Sequence, residues 1–333
     1  MDYISCPLRN FNCSEYIEPI NLKYGEGNIF TLLYNDVMLS RITSSYKYKE
    51  NFGTENLNYY RNTFVCFSST DHILNDKSKA YVLVNNFYIN CETFSNALWF
   101  IKDNAVTPYW TTMSSKKSVS PIVLRRNVYY TTAKGNFEIV NYSREELEKA
   151  MKWYEILEGF LYRKHREEID TSTNLTNMSN YISFNVPSFN RAYYYLNTAR
   201  NTEFLPSKIA SYISVLETIF AANGENTQKI AERTAYFIGE SIDERISIYD
   251  DVKSIYDIRS CYVHGSLISD KKHQTMPEIS EKVDNLVRRV LKKAYEDYPQ
   301  LNYLNKKDKT NPTSMNNIEV DRWFNELILR KEQ

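Results

Sequence analysis

Two kinds of hydrophobic spacing divide this chain. Up to about residue 140, apolar and β-branched residues come in short dense runs; beyond it they recur every three or four positions. Asn62 to Ser68, Lys79 to Phe87 and Ile122 to Thr132 are rich in Val, Ile, Tyr, Phe and Thr, and each is predicted as a strand. Polar clusters bound them, Asn75-Asp76-Lys77-Ser78 and Lys134-Gly135-Asn136. The second is predicted to join Val128–Thr132 to Phe137–Val140 as a hairpin. One helix interrupts the strands, from Thr93 to Lys102, on the spacing of Ala97, Leu98 and Ile101. Residues 1–142 are therefore predicted as an α+β or β-sandwich-like domain.

The helical pattern begins at Ser143-Arg144-Glu145-Glu146, a capping-box signature that opens a helix through Trp153, Ile156, Leu157 and Phe160. From Glu167 to Ser188 the chain is polar and rich in Asn, Thr and Ser, so 143–188 is predicted as a helix and a surface linker. An all-α bundle is predicted over 189–300. Pro206 sits in the first turn of a helix through Ile209, Ile213, Leu216 and Phe220, which stops near Asn223-Gly224. A second runs from Asn226 to Gly239, a third is capped by Asp243 and ends at His264-Gly265, and a fourth spans Pro277 to Tyr295. The tail, 301–333, carries a short amphipathic helix from Asn317 to Arg330.

Length and charge narrow the function classes. The 333 residues suit two domains. Lys plus Arg and Asp plus Glu each number 41, and the stretch from Arg191 to Asp297 is balanced as well. A protein that coats long duplexes carries a basic surplus, so any nucleic-acid contact here is expected to be small and focused. The N-terminus lacks the basic and apolar regions of a signal peptide, and no run approaches the roughly 20 apolar residues of a membrane span. Five cysteines without CxxC spacing suit a reducing cytoplasm and argue against disulfides and zinc.

Candidate chemistry concentrates in Tyr256-Asp257-Ile258-Arg259-Ser260-Cys261-Tyr262-Val263-His264-Gly265. Ile248, Val252, Ile255 and Tyr262 recur at helical spacing and define an apolar face that includes Arg259. A buried arginine needs a carboxylate partner or an anionic ligand, and its planar fork suits phosphate. His264 lies beside the helix C-terminus, where the dipole favours the imidazolium, which suits a group that accepts and donates protons near neutral pH. Ideal geometry sets the two side chains about 7.5 Å apart along the axis and about 140° around it. One helix therefore does not bring them together unaided, and an ordinary capping pair explains the spacing equally well.

Elsewhere the sequence offers little. Gly25-Glu26-Gly27 lacks the context of a dinucleotide loop and reads as a turn. His72, His165 and His273 are scattered without a second ligand at metal spacing, Asp71-His72 reads as a turn, and Lys116-Lys117 and Arg125-Arg126 read as solvated. Trp99, Tyr109 and Trp110 are expected to pack in a core.

Ile255-Tyr256-Asp257-Ile258-Arg259-Ser260, followed by Val263-His264-Gly265, resembles the signature of the HEPN superfamily, specifically its Apea-like branch. There an Arg, four to six spacer residues and a His close a long helix of a compact bundle. Tyr212 to Phe220 is similar to the family's preceding helix, and Lys229-Ile230-Ala231-Glu232-Arg233 to the segment between; the likeness covers Phe189 to Tyr295. The resemblance implies metal-independent RNA cleavage, without a cofactor, by a homodimer whose two Arg–His helices form one composite cleft. Arg259 would hold the scissile phosphate, His264 would act on the 2′-hydroxyl or the leaving oxygen, and a 2′,3′-cyclic phosphate would result. Many members carry Asn or Asp where Ser260 stands. Asp257 is the nearest carboxylate in sequence and reads as a solvated helix-surface residue, and Glu217 is the candidate partner that orients Arg259 or, equally, one half of a packed-core salt bridge. The expectation is a bacterial defence ribonuclease of the abortive-infection or toxin kind, with an N-terminal domain that senses a phage-derived trigger. The alternatives are a non-catalytic HEPN module that dimerises or binds nucleotides or a partner protein, and RNA binding without cleavage.

Overall fold

Asp2–Arg9 (β1) is buried along nearly its whole length, so both faces of this strand must be covered, and that requirement organises the first half of the molecule. The computed structural model describes residues 2–15, 18–24, 27–34, 36–44, 53–54, 56–70, 77–115, 121–160, 186–220, 227–267, 269–303 and 315–329. β1 lies inside an antiparallel sheet with Ile20–Tyr24 (β3), Gly27–Tyr34 (β4), Phe64–Thr70 (β5), Trp110–Ser115 (β7) and Ile122–Arg125 (β8), in the order β3-β4-β5-β1-β7-β8. The short Thr107–Pro108 (β6) pairs with the end of β1. Phe11–Cys13 (β2) and Val140–Tyr142 (β9) form a separate parallel pair.

The two-residue period sorts side chains to opposite faces. On one side Leu33, Val65, Phe67 and Trp110 pack with Met38 and Ile42 of Asp36–Thr43 (α1) and with Tyr60. On the other, Phe30 meets Phe87 and Phe94 edge-on, both from the long helix Lys77–Ile101 (α2). Cys6, Cys66 and Cys91 also gather there as free thiols, and burial pushes each one up.

Helix α2 overturns the expected strand at Lys79–Phe87. Its β-branched run has local strand propensity, but Ala80, Val84, Phe87, Tyr88, Cys91, Phe94 and Leu98 are all buried, a spacing of three and four that continues into the expected helix at Thr93. Packing against the sheet decides over propensity. The third expected strand is shortened to β8, and the hairpin does not form. A turn does close at Lys134-Gly135, where the Thr132 N–H donates to Asn136 O at 2.9 Å and Gly135 N–H to Thr132 O at 2.9 Å. Its flanks find other partners: Tyr130 N–H donates to the Thr107 hydroxyl and Thr131 N–H to Arg200 O.

The chain divides into two compact units, Met1–Tyr130 with Phe137–Gly159, and Thr131–Asn136 with Ile182–Gln333. Arg144–Phe160 (α3) belongs with the strand-rich unit up to Gly159. Its capping box is complete: Glu146 N–H donates to Ser143 Oγ at 3.2 Å and Ser143 N–H to Glu146 Oε2 at 3.0 Å. The polar stretch Glu167–Ser188 lies outside the described residues up to 185, as do Asn223-Gly224, Asp71-His72, His165, Lys116-Lys117 and Gly25-Glu26.

The helical unit contains Ser188–Arg200 (α4), Leu205–Phe220 (α5), Thr227–Ile238 (α6), Ile242–His264 (α7), Asp270–Gln274 (α8), Met276–Asp297 (α9) and Asn317–Leu329 (α10). Helix α5 buries 12 of its 16 residues and is the central element. Even its Lys208 is buried, with Nζ donating to Ala199 O at 2.7 Å. Helix α10 docks by Phe324, which packs edge-on to Phe220 and Phe237. Arg233 of α6 is buried and reaches Asp321 at 2.7 Å, and Lys229 reaches the same carboxylate at 2.8 Å. The molecule is thus α+β, an antiparallel sheet followed by a mostly helical remainder. Among the described residues no helix is long and apolar enough to cross a membrane.

Candidate active site at the end of helix α7

Helix α7 starts at Ser241, whose side chain accepts from Glu244 N–H at 3.2 Å, so the cap is Ser241 and not Asp243, which sits in the first turn. The helix ends at Gly265, in the left-handed region at φ 70°, its N–H returning to Cys261 O. A Cβ at Gly265 would touch nothing within 4 Å, so the positive φ alone asks for glycine. Between these ends Ile248, Val252, Ile255, Tyr256 and Ile258 face the core. Tyr262, assigned to that face by its spacing, is exposed instead, because α7 runs out beyond the bundle core in its last turn.

Arg259 sits at the edge of the buried face with 16% of its side chain exposed. Its Nη2 lies 3.3 Å from Oε1 of Glu217, a carboxylate on α5 that is itself only 11% exposed. The Tyr256 hydroxyl donates to the same oxygen at 2.6 Å, and the Arg259 guanidinium lies 5.4 Å from the centre of the Tyr256 ring. Glu217 is therefore shared by two donors from α7, and Arg259 is held at both its charge and its plane. Sequence reasoning named Arg259 and Glu217 but missed Tyr256. The available signal was its place three residues before Arg259, on the same helix face.

The remaining candidates do not join this group. His264 is exposed and makes no hydrogen bond or ion pair among the described residues. Ser260 is half-buried, likewise with no hydrogen bond among them. Asp257 is exposed and pairs with Lys272 at 3.3 Å, turned away from Arg259. Around His264 the surface is apolar: Val263 is exposed, Leu267 is 98% exposed, and the exposed rings of Tyr262 and Phe204 meet at 5.9 Å. Within one chain the structure yields a braced arginine and a free histidine on one helix, ringed by unburied hydrophobic side chains.

Among the described residues no cluster of His, Cys, Asp and Glu is placed to hold a metal ion, and His273 is exposed. Trp99 and Trp110 are buried, and the ring of Tyr109 lies tilted against Trp110 with centres 4.1 Å apart. Arg126 is not simply solvated: its Nη2 donates to Asn85 at 2.6 Å. Comparison with family models, curated proteins and solved structures finds no match to this chain.

Proposed function

We propose that the helical unit is a HEPN-type endoribonuclease that cleaves RNA without a metal, as a homodimer whose composite cleft is built from two copies of α7. The observation that carries this reading is the braced Arg259 on the helix that ends in the free His264, within an apolar collar of Tyr262, Val263 and Leu267. A second α7 across the collar supplies the juxtaposition that a separation of about 140° denies to one helix.

In this reading Arg259 binds the scissile phosphate and offsets charge as it develops. The 2′-hydroxyl attacks the adjacent phosphorus, the bond to the 5′-oxygen breaks, and 2′,3′-cyclic phosphate and 5′-hydroxyl ends form. His264 takes the 2′-hydroxyl proton or delivers one to the leaving oxygen. DNA, which lacks the 2′-hydroxyl, is not cut. Ser260, half-buried and next to Arg259 in sequence, supplies a hydroxyl in the supporting role. The role is a bacterial, cytoplasmic defence ribonuclease of the abortive-infection kind, with the strand-rich unit restraining it until a phage-derived trigger arrives.

The test is cleavage of total RNA and tRNA in EDTA by the full chain, beside Arg259→Ala and His264→Ala. Cyclic-phosphate ends that disappear in both variants support the reading. No cleavage by the full chain, by its helical unit expressed in cells, or in the presence of phage lysate sinks it.

A second reading has its own support. Because Glu217 already satisfies Arg259, the pair serves equally as a structural ion pair in a non-catalytic HEPN module that dimerises or binds a partner. In that case Arg259→Ala lowers stability with no cleavage to lose, and His264→Ala changes nothing.

A further inference from the structure

The strand-rich unit holds a second arginine on tyrosine rings, and no carboxylate among the described residues pairs with it. Arg9 is the last residue of β1 and pairs in register with Thr107. The next residue, Asn10, takes φ 58°, the left-handed conformation that asparagine tolerates better than other side chains. Its Nδ2 donates to Ala105 O at 3.0 Å, and its carbonyl accepts from Val140 N–H at 3.0 Å. The turn is fixed from both sides, so Arg9 leaves the sheet in one direction.

Its guanidinium carbon lies 3.2 Å from the centre of the Tyr109 ring, 5.6 Å from that of Tyr129 and 5.9 Å from that of Tyr59. Nε donates to the Tyr59 hydroxyl at 3.2 Å. Tyr59 and Tyr109 rest in turn on the core of Leu33, Val65, Phe67 and Trp110. Burial raises the Tyr59 hydroxyl against the opposing pull of Arg9, so the phenol stays neutral and cannot supply a counter-charge. One guanidinium donor of five is engaged, and no carboxylate among the described residues pairs with Arg9.

Arg9 lines a cleft of about 470 Å³, a size typical of small-ligand sites. Tyr129, Phe137 and Ile139 supply an apolar wall, each exposed although large. Asn62, also lining the cleft, leaves its side-chain amide without a hydrogen bond among the described residues. A fixed cation, a neutral phenol, an amide and large exposed apolar side chains converge on one opening.

We propose that this cleft binds a small organic anion, a phosphate or carboxylate carried on a flat ring. The Arg9 fork takes the anion, the Tyr129 and Phe137 faces take the ring, and Asn62 takes a polar edge. The inference rests on the strand-rich unit alone and is independent of the chemistry of α7.

The test is calorimetric titration of the full chain with adenosine 5′-monophosphate and indole-3-acetate, beside adenosine and inorganic phosphate. At least one of the two ring-bearing anions binds ten-fold or more tightly than either fragment. Arg9→Gln weakens it about 10- to 100-fold, the loss of one charge-assisted bidentate contact, while Arg9→Lys recovers part of it. Phe137→Ala, at an exposed position, weakens the ring-bearing probe several-fold and leaves phosphate unchanged. A preference for the monophosphate assigns a phosphate ligand, and a preference for the indole acid assigns a carboxylate. Failure of both to bind, or undiminished binding to Arg9→Gln and Phe137→Ala alike, overturns the proposal.

Discussion

Arg9 and Arg259 are the same side chain in two settings. Both lie on tyrosine and both are half-buried, but Arg259 has Glu217 at 3.3 Å, whereas the polar partner of Arg9 among the described residues is a phenol. A carboxylate fixes an arginine at rest and must share it with any anionic ligand. A ring fixes only the plane and leaves the donors free. On the two functions proposed above, Arg259 answers a charge that develops during reaction, and Arg9 a charge that arrives complete.

The comparison breaks first at the chemistry. Arg259→Ala and His264→Ala should each lower RNA cleavage by roughly 10²- to 10⁴-fold, read from cyclic-phosphate ends by gel, while Arg9→Gln should leave the chemical step of the activated enzyme intact. Stability sharpens it next. Arg233 is a third case, 1% exposed and clamped by Asp321, so Asp321→Ala strands a buried cation and should cost about 3 kcal/mol in urea unfolding. Arg259→Ala takes the cation away from the largely buried Glu217 and should cost about 2 kcal/mol by the same measurement.

The strand-rich unit does pair a cation when a helix cap is at stake. Lys102 bonds Glu146 at 2.7 Å. Burial raises the Glu146 carboxyl, but the bonds from Lys102 and Ser143 outweigh it and hold the group below its ordinary value. A depressed carboxylate stabilises the fold above its unfolded pKa, about 4.3, and that contribution fades as pH falls through the folded value. Glu146→Gln should therefore cost about 1 kcal/mol at pH 7 and progressively less as the pH falls through the folded value, by chemical denaturation across that range. Arg9→Gln should be the smallest effect, under about 1 kcal/mol in the absence of ligand, because only a stacked ring and one neutral hydrogen bond are lost.

Helix ends were the most legible part of the fold. Ser143 with Glu146, Pro206 and Gly265 act through their own backbone within one turn, so local sequence suffices. Lys79–Phe87 was not legible, because the sheet it covers lies elsewhere in the chain and outweighs its β-branched run. At the site, Arg259, Glu217 and His264 were named from the sequence. Tyr256 was not, since its role depends on α5 presenting Glu217 to α7. The cleft at Arg9 gave no signal at all. It is assembled from segments as far apart as Arg9, Tyr59, Tyr109 and Tyr129, and no spacing rule relates a strand end to three distant rings.

The clasp of Arg233 on Asp321 also has a meaning in time. The two residues are 88 positions apart. At the usual pace of synthesis, about 5–20 residues per second, the carboxylate emerges on the order of 4–18 s after its arginine. Until then Arg233 of α6 has the Phe220 carbonyl as a partner but not the carboxylate that offsets its charge. The ion pair that closes the bundle is thus translated last, and a chain ended before Asp321 lacks the carboxylate that serves both Arg233 and Lys229.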